Sequence, residues 1–81
     1  MNRILGYCTD IIELKKLMIE CNLETNLALS EASGVDRNTI GKITSGKEQP
    51  SALNMYRIAL ALHMSPDKAG SVFFKPILRN A

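Results

Sequence analysis

The sequence predicts an all-α fold, a compact five-helix bundle organised around a helix-turn-helix. Three observations predict it. Apolar residues recur at helical spacing from Ile11 onward. Residues suited to capping helices, Asp10, Thr25, Asp36, Ser51 and Ser65, stand just before the apolar stretches. Between positions 26 and 46, two short helical segments are parted by Gly34. Eighty-one residues make one domain with a modest core. We divide the chain into an N-terminal extension (1–9), the helical domain (10–74) and a C-terminal tail (75–81).

Asp10-Ile11-Ile12-Glu13 fits a capping box, Asp10 accepting from first-turn amides and Glu13 reaching back. The first helix therefore starts there. Ile11, Leu14, Leu17, Met18 and Cys21 lie along one face and Glu13, Lys16 and Glu20 along the other. Thr25 caps a second helix that runs to about Ser33, where Gly34 can take a positive φ. Asn26 sits at its start, among exposed amides and at the positive end of the dipole. It is either a phosphate clamp or a polar surface residue beside a cap.

Asp36 caps the third helix, with Arg37, Asn38 and Thr39 in its first turn and Val35, Ile40 and Ile43 facing inward with Leu29 and Ala32. Gly41 lies inside this helix, where glycine costs about 1 kcal/mol relative to alanine. Either it faces a groove and lets the backbone approach base edges, or the position accepts any small residue. Gly46 closes the helix, and Pro50 follows in the loop. Ser51 caps a fourth helix, apolar almost all round: Met55, Ile58, Ala59 and Leu62 form a core stripe, while Leu53, Leu60 and Met64 need a second cover. Ser65-Pro66-Asp67 opens a short fifth helix, which Lys75-Pro76 ends. Phe73, Phe74, Ile77 and Leu78 are expected both to complete the core and to meet a second copy across a two-fold axis. Residues 1–9, Arg3 included, are expected to fray.

Composition narrows the function classes. The chain is 46% hydrophobic with three prolines, so it folds. No apolar run approaches the roughly 18 residues of a membrane span, and no signal-peptide pattern opens it. Cys8 and Cys21 are expected as reduced thiols in a cytoplasm, Cys21 as a core residue. His63 is the lone histidine, which leaves no zinc spacing and no partner for a catalytic serine. We therefore expect no metal, no cofactor and no enzyme. Residues 1–33 hold three basic against five acidic side chains, and residues 34–81 hold seven against three, so the halves carry −2 and +4. The positive excess begins where the third helix does, the sign needed to approach phosphates.

The third helix buries a narrow stripe and presents hydrogen-bonding side chains at its N-terminal end, which suits a DNA major groove. In the register of Leu29, Gly34, Val35, Ile40, Ile43, Gly46, Pro50, Ser51, Ile58, Ala59, Leu62, Ser65 and Asp67, residues 11–69 resemble the lambda-repressor-like helix-turn-helix family, the Cro/C1 or XRE type. The resemblance implies a third helix in the major groove with the second crossing above it. Arg37, Asn38, Gly41 and Lys42 match base-facing positions. Asn26, Thr39, Thr44, Ser45 and Lys47 are expected on the DNA backbone. Ser30 stands where the helix crossing usually has Ala, with its hydroxyl expected to bond back to its own helix, and Glu24 stands where an apolar residue often precedes the cap. The expected function is sequence-specific transcriptional regulation by a small Cro-like phage or prophage repressor, a homodimer on a double-stranded operator. The rival is an antirepressor or antitoxin-type module that docks on another phage repressor protein.

Overall fold

The computed structural model describes residues 2–80, with side chains for residues 4–78. Its order is β1 (Asn2–Cys8), α1 (Ile11–Glu20), α2 (Asn26–Ser33), α3 (Arg37–Thr44), α4 (Ala52–Ala61), α5 (Pro66–Phe73) and β2 (Lys75–Asn80). Five helices form the body of an all-α domain, and the two strands make a small ribbon at one end.

Each helix begins at an expected cap. Asp10 accepts from the Glu13 amide, Thr25 from Ala28, Ser51 from Asn54 and Ser65 from Lys68, while Asp36 takes both Asn38 and Thr39. The reciprocal half of the first capping box is absent: the Asp10 amide donates to the Val72 carbonyl at 2.6 Å, and Glu13 pairs instead with Lys68 Nζ, also at 2.6 Å. Both partners sit at α5, so the start of α1 is tied to α5 rather than closed on itself. Gly34 (φ 76°) and Gly46 (φ 80°) hold the left-handed turns that end α2 and α3.

The core is Leu14 and Met18 from α1, Leu29 from α2, Val35, Ile40 and Ile43 around α3, Ile58 and Leu62 at α4, and Val72 and Phe73 from α5. Ala32, expected inward, is exposed. Met55 and Ala59 only partly join the core stripe of α4, and its outer side stays open: Leu53, Tyr56 and Leu60 face solvent.

Residues expected as a frayed extension and a tail pair with each other instead. β1 and β2 are antiparallel, with Ile4 opposite Leu78, Gly6 opposite Ile77 and Cys8 opposite Lys75. Leu5 is the extra residue of a bulge between the first two pairs. Pro76 is tolerated because a two-stranded ribbon consists only of edges. The Arg3 backbone lies in β1, and its side chain is outside the described residues.

Candidate nucleic-acid interface

Two caps position the site. Thr25 starts α2 so that Asn26 is its first residue, and Asp36 starts α3 so that Arg37, Asn38 and Thr39 form its first turn. Ile40, Ile43 and Thr44 turn inward at spacings of three and four residues, which leaves Asn38, Lys42 and Ser45 along the outer edge. After Gly46 the chain folds back, the amides of Lys47 and Glu48 both donating to the Lys42 carbonyl, and Lys47 is held beside the end of α3. Ser30 donates to the Val35 carbonyl rather than to its own helix, closing the turn between α2 and α3.

These elements enclose a cleft of about 450 Å³ lined by Asn26, Arg37, Asn38, Gly41, Lys42, Ser45 and Lys47. Three of its seven residues are cationic and none is acidic. Among the described residues the one ion pair is Lys68–Glu13, so Arg37, Lys42 and Lys47 are not engaged by carboxylates. Two acids adjoin cleft residues in sequence: Asp36 spends its carboxylate on the amides of Asn38 and Thr39, and Glu48, next to Lys47, is not part of the lining. The cleft can thus offer cations and neutral donors together to an anionic, hydrogen-bonding surface.

Of the nine residues expected at the DNA, seven line this cleft. Thr39 is half-buried and outside it. Thr44 is corrected more firmly: it is 6% exposed, and its hydroxyl donates to Asn26 Oδ1 at 3.1 Å, so it supports Asn26 rather than reaching a backbone itself. Sequence reasoning missed Gln49. Its Oε1 accepts from Thr9 Oγ1 at 2.8 Å and its Nε2 donates to the Phe73 carbonyl at 2.6 Å, which anchors the loop carrying Lys47 where the start of α1 meets the end of α5. A polar loop glutamine with partners 40 and 24 residues away carries no local signal.

The expected dimer residues divide. Phe73 is 1% exposed, an internal core residue that is not available to a second copy. Phe74, Ile77 and Leu78 are exposed, and the Tyr7 ring meets Phe74 edge-on with centroids 6.1 Å apart. Phe74 also lines an apolar groove of about 530 Å³ between α4 and α5, with Met55, Tyr56, Leu60 and Met64 among others. Among the described residues no three His, Cys, Asp or Glu side chains cluster as a metal would require, and no helix is long and apolar enough to cross a membrane.

A short helix, a glycine turn closed by a serine hydroxyl, and a second helix with a buried stripe and a polar outer edge define a helix-turn-helix. The profile of the helix-turn-helix family matches residues 14–68, and the chain belongs to that family, in its Cro/C1 type. Over 53 residues the chain is 49% identical to the HTH-type transcriptional regulator PrtR of Pseudomonas aeruginosa, a stretch covering 65% of this chain and 20% of PrtR. The match therefore spans about a fifth of that relative. No solved structure matches the chain.

Proposed function

We propose that the chain is a sequence-specific DNA-binding transcriptional regulator that reads the major groove with α3. The observation that carries this reading is the cleft itself: seven polar, cationic or backbone-exposing residues, no carboxylate, and a rigid apolar underside in Ile40 and Ile43. Arg37 has the fork for guanine O6 and N7, Asn38 the amide for adenine N6 and N7, and Lys42 a point charge for guanine or phosphate; Gly41 lets the helix come close. Asn26, Thr39, Ser45 and Lys47 then set register on the backbone. The regulator name of PrtR and the family membership support the same class.

The reading extends to a small phage or prophage repressor of Cro type acting as a homodimer. Two reading helices about 34 Å apart on a near-palindromic operator would occlude polymerase. The exposed Phe74, Ile77 and Leu78 support a second copy. Duplexes selected from a random pool by the chain, then titrated at several salt concentrations, test the assignment. Arg37→Ala should erase preference among sequences. Lys47→Ala should weaken all duplexes alike and lower the salt slope by about one. Equal effects from both substitutions would overturn the roles, and no binding to any duplex at low salt would overturn the function.

One observation favours a second reading, the apolar groove between α4 and α5, which suits a protein more than a nucleic acid. An antirepressor or antitoxin-type module would use it to hold another repressor, and would bind that protein with no duplex present.

A further inference from the structure

We propose that Thr44 is a positioning residue that aims the donor end of the Asn26 amide at a DNA phosphate, an inference that rests on the DNA reading above. Thr44 is buried on the inner face of α3, yet its hydroxyl leaves that face to reach another helix. A threonine hydroxyl has one proton to donate. Its acceptors are Asn26 Oδ1 at 3.1 Å and the Gly41 carbonyl at 3.4 Å, so the amide oxygen is the closer one.

With Oδ1 accepting from Thr44, Nδ2 takes the other side; turning the amide over would send the Thr44 proton to the more distant Gly41 carbonyl, so the closer bond favours this orientation. Nδ2 lies 3.7 Å from the point where a side chain on Gly41 would begin, at the cleft. An amide NH2 donates twice and accepts nothing, so the atom offered outward selects an oxygen acceptor. The first amides of α2 lie beside it, and the helix dipole favours negative charge at the same end. The matching group on a duplex is a phosphate oxygen. Turned over, the same amide would confront that phosphate with its own acceptor. Thr44 therefore sets the sign of the contact without touching DNA, and Gly41 leaves the donor uncovered.

The test measures affinity for a mixed-sequence duplex and for the duplex that the wild-type chain selects, with thermal stability followed in parallel. Thr44→Val keeps the shape and removes the proton. It should weaken both duplexes by the same factor, about threefold to tenfold, with the salt slope unchanged because no cation is lost. Thr44→Ser, which keeps the hydroxyl, should recover most of the affinity. In an Asn26→Ala background Thr44→Val should cost nothing further. Should Thr44→Val prove unstable, Asn26→Ala decides separately: it removes the aimed donor and should weaken both duplexes by at least the same factor, again with the salt slope unchanged. A folded Thr44→Val with wild-type affinity, an undiminished loss in the Asn26→Ala background, or Asn26→Ala binding as tightly as wild type would each overturn the proposal. Wild-type protein that binds no duplex would instead overturn the DNA reading on which it rests.

Discussion

Gln49 Nε2 donates to the Phe73 carbonyl at 2.6 Å, joining the loop that follows the polar edge of α3 to the last turn of α5. The same side chain accepts from Thr9, a buried residue between β1 and α1. The Lys47 loop is thus clamped at its far end to the junction of ribbon and helices. Gln49→Ala should cost about 1–3 kcal/mol, because Thr9 loses its side-chain partner and the Phe73 carbonyl loses a donor at a helix end. Urea denaturation would measure that loss. A midpoint within error of wild type would show that the clamp contributes nothing.

Phe73 and Phe74 are neighbours with opposite environments, 1% and 50% exposed. Phe73→Ala empties a space in the centre of the core and should destabilise by about 3–5 kcal/mol. Phe74→Ala removes half-exposed surface and should leave most of the stability intact while weakening self-association. Denaturation and sedimentation on the two variants separate these effects. Unchanged sedimentation of Phe74→Ala, in a wild-type chain that dimerises, would move the interface elsewhere.

Lys68 is linked to pH through Glu13. The hydrogen bond between them raises the lysine above its ordinary value of 10.5 against the opposing effect of burial, and the charges of Glu13, Glu20 and Asp10 add to the rise. A group held higher in the folded state stabilises below its unfolded pKa, and that contribution fades as pH climbs through the folded value. Glu13→Gln should therefore lower stability at neutral pH and converge on wild type above pH 10.5. Urea midpoints on either side of that value would show it. Both partners are partly exposed, so salt should shrink the difference. A gap that persists at high pH would assign the effect to packing.

What was legible in the sequence follows the range of each interaction. The five caps bond amides two or three residues away, so residue type and spacing sufficed for Asp10, Thr25, Asp36, Ser51 and Ser65. The cleft was legible because six of its residues fall between 37 and 47, with Asn26 brought by the family register. The ribbon was not. It pairs the two ends of the chain, its bulge interrupts any alternation, and Gly6 and Pro76 both read as breakers of structure. Thr44 illustrates a conflict of signals. The resemblance placed it on the DNA, and the spacing from Ile40 and Ile43 that puts it on the buried face was not weighed against that expectation. Burial prevailed because Asn26 supplies the acceptor that makes a buried hydroxyl acceptable.

Gly41 and Gly46 lie five residues apart and should respond to alanine in opposite ways. At Gly46 the backbone is left-handed, and a Cβ would stand 2.7 Å from Ile11 Cδ1. Gly46→Ala should lose about 1–2 kcal/mol from the backbone alone, with the Ile11 side chain forced to shift. At Gly41 the backbone is helical and the nearest neighbour of a Cβ is Asn26 Nδ2 at 3.7 Å, an ordinary contact. The free chain therefore has no steric need for glycine there, and Gly41→Ala should stabilise it by up to about 1 kcal/mol. The same methyl would cover the Asn26 donor and thicken the edge that meets the duplex, so affinity should fall while stability rises. Thermal melts and duplex titrations on this one variant check both halves. If Gly41→Ala binds as tightly as wild type, the glycine is there for neither the amide nor the close approach, and α3 tolerates a thicker edge than this geometry implies.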